Sequence, residues 1–204
     1  MSVLQADSST AIVKRAFGWA EHSNDFDSLE DDTPEAIEGR LRYDARRRQV
    51  LEALDWNFAR RRFAPVLRPD VVAPIDFPVA YARPPECLRV RALLDQSGHP
   101  LPFNVEYHIF TDCQVTSQIA YTKDIQNPAH FPPAFTQALE FLLAAEFAMI
   151  YARSVNRSNT MLENYRRTMI DADRIEGLER SDDEAYVPGP FEMAISNMSF
   201  GDRV

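Results

Sequence analysis

Apolar residues recur at helical spacing along the first part of this chain. Residues 9–20 predict a short amphipathic helix. A second helix is predicted to begin after Thr33, an N-cap residue followed by Pro34 at the first helical position, and to end near Trp56 or Phe58. The stripe that this second helix should bury consists of Ile37, Leu41, Ala45, Leu51 and Leu54.

The pattern changes between residues 63 and 128, where nine prolines exclude long helices. Residues 88–93 alternate as a strand does, and residues 95–98 have the composition of a turn. Two further segments, 103–110 and 115–121, are the predicted partner strands. Together they indicate a small antiparallel sheet of three to five strands.

A helical pattern returns at Pro132 or Pro133. Residues 134–150 are almost all apolar, so this helix should lie at the centre of a bundle, and its alanines would let neighbouring helices approach closely. A last helix is predicted over about 158–178. Its apolar face consists of Met161, Tyr165, Met169, Ala172 and Ile175.

The order of these segments predicts an α+β fold. Residues 1–62 and 131–180 would supply a bundle of about four helices, and residues 63–130 would form a small antiparallel β domain inserted into it. Residues 181–204 are expected to be an extended C-terminal arm.

The predicted arm combines an acidic start with large apolar residues. Asp182, Asp183 and Glu184 open it. Such a segment would gain free energy by placing its apolar side chains in a groove of another protein surface. It could equally fold back on its own domain, and the sequence leaves both open. The anchoring residues would be Tyr186, Phe191, Met193, Ile195 and Phe200.

Charge and composition narrow the function classes. The net charge of −9 argues against a sequence-independent nucleic-acid binder, although an acidic wall that faces DNA without gripping it remains compatible. Residues 21–32 hold six acids and no Lys or Arg, so a solvated loop is expected there. The first residues lack the features of a signal peptide, and the apolar run 141–151 is short for a membrane span. Cys87 and Cys113 fit a reducing compartment, and a soluble intracellular protein is expected.

Residues that could carry chemistry do not form a recognisable site. None of the four histidines has metal-ligand spacing, and no phosphate-binding glycine motif occurs. His108 and Cys113 could act as base and nucleophile, but a third, orienting group is missing. We therefore expect no catalytic activity, cofactor or metal.

The basic runs 46–48 and 60–62 could meet phosphate. On a helix, however, three consecutive arginines point in three directions, so neither run would make one basic face. Pairing with carboxylates across a subunit boundary suits an acidic protein better and is the expectation. Trp56, Phe58 and Phe63 could stack on bases, but a place in the core is the stronger expectation.

Several short segments mark the junctions between the predicted helices and strands. They are Asp55-Trp56-Asn57-Phe58, the stretch from Tyr81 to Val90 that reads YARPPECLRV, Tyr107, Ile119-Ala120-Tyr121, and Phe131-Pro132-Pro133-Ala134-Phe135 followed by Leu139. This layout, from about Arg40 to Arg180, resembles the head-to-tail adaptor (connector) proteins of tailed bacteriophages, the tail tubular protein A type. Homologous adaptors also occur in prophages and gene transfer agents. The positions that carry the resemblance are Trp56, Phe58, Tyr81, Leu88, Val90, Pro132, Phe135 and Leu139.

The resemblance implies a non-enzymatic virion protein at the head–tail interface, made in the bacterial host cytoplasm. Twelve copies would form a ring under the portal protein and offer a docking surface to a tail nozzle, stopper or other tail component. DNA would pass through the channel as a non-specific passenger, and C-terminal segments would embrace the portal. Subunits could be monomeric before assembly, and no membrane is involved.

Two other readings remain. The chain could be a small intracellular interaction or regulatory module that dimerises through its alanine-rich helix. It could also be a hydrolase or transferase that uses His108 and Cys113 or scattered carboxylates.

Overall fold

The computed structural model describes residues 8–112 and 116–181. Within these ranges two helices precede seven short strands, and two helices follow them, which confirms the α+β class. A single 3₁₀ turn, Pro128–His130, leads from the last strand into the third helix. The elements are α1 (Ser9–Trp19), α2 (Pro34–Ala53), β1 (Arg60–Phe63), β2 (Val79–Tyr81), β3 (Cys87–Leu94), β4 (Pro100–Leu101), β5 (Phe103–Val105), β6 (Ile109–Thr111), β7 (Gln118–Lys123), α3 (Pro133–Ile150) and α4 (Val155–Ser181).

The helices begin where capping chemistry places them. The Ser8 hydroxyl accepts a hydrogen bond from the Ala11 amide at 3.1 Å, and the Thr33 hydroxyl accepts one from the Ala36 amide at 3.3 Å. Each bond satisfies a backbone donor that the first turn of a helix cannot pair internally. Pro132 takes the N-cap position of α3 without a side-chain cap.

Helix α3 is the centre of the bundle. It packs against α1, α2 and α4, and 67% of it is buried, as expected for a helix that is apolar on all sides. By length and composition alone α3 could also cross a membrane, but burial of this kind is what the core helix of a globular protein shows. The bundle core includes a stacked ring pair, Phe17 on Phe147, whose centroids are 4.0 Å apart.

The strands form two antiparallel sheets in the described residues, where one was predicted. The first has the order β1-β7-β3-β4 and the second β2-β6-β5. The predicted strand 103–110 is divided because a tight turn, closed by the Glu106 amide and the His108 carbonyl at 3.0 Å, folds β5 back on β6. The two sheets share a small hydrophobic core that is separate from the bundle core. Its buried residues are Val79, Tyr81, Val90, Leu93, Ile109 and Ile119.

The predicted buried stripe of α2 is wrong in its first half. Leu41 is 69% exposed, and Ile37 and Ala45 are also exposed. The face that packs inward carries Ala36, Gly39, Tyr43, Arg47, Val50 and Leu51. Small residues decide this rotation, because a Cβ on Gly39 would lie 2.6 Å from Cγ1 of Val13 on α1. The helix also ends at Ala53, before Trp56.

Two other expectations need correction. The acidic segment 21–32 is not wholly solvated, since Phe26 and Leu29 are buried in the bundle core and the Phe26 ring meets Phe17 edge-on. On α4, Met161 and Ala172 are buried as predicted, but Ile175 is exposed. The helix also extends beyond the predicted bounds at both ends.

Candidate interaction surfaces

An aromatic cluster fills the junction between the bundle and the strands. Trp56 is fully buried, its Nε1 donates to the Val50 carbonyl at 2.9 Å, and its ring meets Phe135 edge-on at 5.3 Å. Phe58 lies 5.2 Å from Phe135 and 6.1 Å from Phe131, measured between ring centroids. These residues are core, and Trp56 is not available to stack on a base.

Leu88, Leu139, Tyr81 and Val90, which also carry the family resemblance, lie in the bundle core or in the core of the sheets, and Pro132 is the N-cap of α3. Leu139 is buried in the bundle, and Leu88 is half-buried against it from the start of β3. Tyr81 and Val90 lie in the core of the sheets. Most of the positions that carry the resemblance therefore lie in the bundle or at its junction with the sheets, and Tyr81 and Val90 lie in the core of the sheets.

Arg47, a member of the basic run 46–48, and Arg91, which the sequence did not single out, connect α2 to the first sheet and to the segment that follows β7. Arg47 is only 1% exposed, and its guanidinium donates to the Asp124 carboxylate and to the Ile125 carbonyl, the latter at 2.7 Å. Arg91 on β3 donates to the Leu54 carbonyl at 2.6 Å. The last carbonyls of a helix have no internal partner and carry partial negative charge, so a cation is well placed there.

Arg46, Arg47, Arg48 and Arg60 of the basic runs pair with carboxylates of the same chain, where pairs across a subunit boundary were predicted. Arg61 and Arg62 of β1 are exposed and donate to backbone carbonyls and to the Gln118 side chain. Arg46 pairs with Glu146 of α3, Arg48 with Asp124 at 3.1 Å, and Arg60 with Asp55 at 3.3 Å. Arg46, Arg47 and Arg48 do point in different directions, as helix geometry requires. The four paired arginines are therefore less available to phosphate.

Three of the four histidines contact neighbouring side chains in the structure. His22 lies 3.1 Å from the Glu35 carboxylate and stacks on Tyr151, with ring centroids 4.4 Å apart. The backbone amide of Glu35 and the His22 ring lower the pKa of the Glu35 carboxyl. His99 lies 3.5 Å from Asp95 in the turn after β3, and His108 lies between two aromatic rings.

The described residues hold no cluster of three metal-ligating side chains. Cys113, the proposed partner of His108, lies outside the described residues. Cys87 is half-buried, and burial raises the pKa of its thiol, which disfavours the reactive thiolate. His130 closes the exposed 3₁₀ turn before α3.

An apolar groove of about 400 Å³ lies where α2, α3 and α4 meet. Met149 is 47% exposed within it, and Ile150 is exposed to a similar degree. Arg42 at the edge is held by Glu146 at 3.3 Å. The surface, called here the bundle groove, is lined mainly by Arg42, Leu142, Ala145, Met149, Ile150 and Leu162.

Two smaller apolar surfaces are also exposed. Ile37 and Leu41 stand one turn apart on the outer face of α2. In the β region, Ile75 is 98% exposed, and Val72 and Tyr107 are nearly as open. Apolar side chains that are exposed singly are common on protein surfaces, so these positions alone do not indicate a partner.

The predicted anchors Tyr186, Phe191, Met193, Ile195 and Phe200 lie outside the described residues, so their place stays a prediction. No family model matches the chain, and no curated protein matches it by sequence.

Proposed function

We propose that this chain is a head-to-tail adaptor of the tail tubular protein A type. In this proposal it forms a ring beneath the portal of a phage, prophage or gene transfer agent and connects the capsid vertex to the tail. It has no catalytic role and needs no cofactor. Subunits contact each other through different faces, so that rotation closes the ring.

The observation that supports this proposal is the arrangement of the helices before and after the inserted strands. Helices from both ends of the described sequence build one bundle around α3, and the strands are inserted between α2 and α3. The junction residues on which the resemblance rests, Trp56, Phe58 and Phe135, pack together where the insertion leaves the bundle. A helix bundle bearing a small β domain is the layout that the adaptor family implies.

The charge distribution supports a passive relation to DNA. The net charge is −9, and Arg46, Arg47, Arg48 and Arg60 of the two arginine runs pair with carboxylates of the same chain. A protein that cannot neutralise many phosphates gains little from counterion release. An acidic channel wall would let DNA pass without holding it.

The alternative is a small interaction module that dimerises through its alanine-rich helix. In the structure the alanines that would form that contact are buried inside the bundle, so a dimer of this kind would need the bundle to open. They are Ala138, Ala144, Ala145 and Ala148.

The direct test is binding to the portal protein encoded in the same genome. The two purified proteins are mixed and imaged by electron microscopy, with the portal alone as control. We expect a second ring stacked on the portal. A bare portal beside free 23.3 kDa protein would overturn the adaptor proposal in favour of the interaction module.

A deletion tests the role of the arm. Removing residues 185–204 should leave the helices folded, as judged by circular dichroism, because the bundle core lies within residues 8–181. The same deletion should abolish portal binding, since Tyr186, Phe191, Met193, Ile195 and Phe200 would supply the anchors. Portal binding that is unchanged by the deletion would remove that role from the arm.

A further inference from the structure

The bundle groove is an apolar surface that the described residues leave uncovered. Met149 and Ile150 end α3 with much of their side chains exposed, and Leu162 of α4 borders them. Leaving such groups in water costs about 25 cal/mol per Å² of apolar area, so a segment that covers them would be bound favourably.

The outer side of α4 leads from the groove towards the end of that helix. Leu162, Arg166 and Ile170 follow one another at intervals of four residues, which places them on one side of successive turns. Ile170 is 63% exposed. The Arg166 side chain is exposed and makes no ion pair or hydrogen bond with the residues that the structure describes.

We infer that the bundle groove is the docking site of the C-terminal segment 182–204 of the same molecule. Helix α4 ends at Ser181, about 28 Å along its axis from Leu162 at 1.5 Å per residue. An extended chain covers that distance in about nine residues. A reversal of about four residues followed by nine extended ones brings the neighbourhood of Met193 to the groove.

The order of residues in the segment fits this route. The acids Asp182, Asp183 and Glu184 would lie in the reversal, exposed to water. In an extended chain Phe191, Met193 and Ile195 point to one side, the spacing that a segment needs to place several apolar side chains in one groove.

This inference goes beyond the adaptor proposal and does not rest on it, because it concerns the isolated protein. In an assembled ring the same segment would have to leave the groove to reach the portal. The test below uses no portal, so its failure and the failure of the proposed function are separate results.

The first experiment joins the two surfaces covalently in the full chain. Cys87 and Cys113 are replaced by Ala, and cysteines are introduced as Met149→Cys and Met193→Cys. Under mild oxidation at low micromolar concentration we expect an intramolecular disulfide in most molecules, seen as a monomer of altered mobility without reductant. The matched control carries Val72→Cys in place of Met149→Cys, since Val72 is highly exposed but lies in the β region.

Each result of the disulfide experiment bears on the proposal. Intramolecular bonding well above the Val72→Cys control supports it. Disulfide-linked dimers as the main product would assign the groove to a second copy and overturn it. Bonding at the level of the control would also overturn it, because the segment would then not visit the groove.

A second experiment removes the apolar surface and follows proteolysis. Chymotrypsin should cleave within 186–200 about tenfold faster in Met149→Asp than in the parent chain, because cleavage reports the population in which the segment is undocked. Ile75→Asp, at a 98% exposed site of the β region, serves as the control and should leave the rate unchanged. Equal rates in all three proteins, with circular dichroism showing intact helices, would contradict docking in the groove.

Discussion

Arg47 and Arg48 share one carboxylate but lie in very different surroundings. Both contact Asp124, yet the Arg47 side chain is 1% exposed and that of Arg48 is 52% exposed. We predict that Arg47→Met lowers the free energy of unfolding by about 3 kcal/mol, because it leaves a buried carboxylate and a carbonyl with fewer partners. Urea unfolding followed by circular dichroism measures this.

The matched variant is Arg48→Met. It removes the exposed member of the same pair and should cost less than about 1 kcal/mol. A similar loss in both variants would mean that burial does not set the strength of these contacts.

Replacement of glycine by alanine should have opposite effects on stability at Gly39 and at Gly177. At Gly39 an added Cβ would lie 2.6 Å from Val13 Cγ1 and 3.0 Å from Leu29 Cδ2, so Gly39→Ala should destabilise the protein by about 1–3 kcal/mol. At Gly177, inside α4, nothing lies within 4 Å of the added atom. Gly177→Ala should therefore stabilise by about 0.5–1 kcal/mol. Thermal unfolding of the two variants checks the difference in sign, and a gain in both would contradict the packing at Gly39.

At the scale of elements, the titratable residue Glu35 connects the N-terminus of α2 to His22 in the segment after α1. Glu35 accepts hydrogen bonds from its own amide and from His22, and both lower its pKa below the ordinary value of 4.5. A carboxyl with a lowered pKa in the folded state stabilises the fold above its unfolded pKa, and that stability is lost as pH falls through the folded pKa. In Glu35→Gln, the free energy of unfolding should therefore fall less steeply as the pH decreases below about 4.5.

Urea midpoints at a series of pH values between about 6 and 3 give the comparison. His22→Phe is the informative control, since it can keep an aromatic contact with Tyr151 and removes one of the two hydrogen bonds. It should give an intermediate slope. A slope identical to that of the parent chain in both variants would exclude Glu35 as a contributor.

Local signals allowed several elements to be predicted from the sequence. Thr33 with Pro34 marks the start of α2, the prolines confine the strands to the middle, and the apolar run identifies α3 as the central helix. The inward face of α2 could not be obtained in this way. Small residues such as Gly39 lie inward because α1 approaches closely there, and hydrophobicity alone does not report that approach.

The candidate surfaces were harder to predict than the elements. The bundle groove is lined from three helices, so no single stretch of sequence contains it. Arg47 was hidden for a different reason, because a charged residue on an amphipathic helix is expected in solvent. Its spacing of four residues from Tyr43 and from Leu51, both buried, was the available signal.

At the scale of the whole molecule, we predict very weak binding to duplex DNA. The negative net charge and the internal pairing of Arg46, Arg47 and Arg60 leave few cations for phosphate. Fluorescence anisotropy with a labelled duplex should give a dissociation constant weaker than about 100 μM at physiological salt. Micromolar binding that falls steeply with salt would contradict this and would point to exposed arginines such as Arg61 and Arg62.

The central place of α3 has a consequence for how the chain reaches its fold. The ion pair between Arg15 and Glu140 joins residues 125 positions apart, and the main partner of α1 is α3. During synthesis α1 and α2 emerge first and must wait, with their apolar sides uncovered, until the strands and then α3 have left the ribosome. Contacts of such long range slow folding, because a large loop must close before they form. A nascent chain that ends before Pro133 should therefore depend on chaperones far more than the full-length protein does.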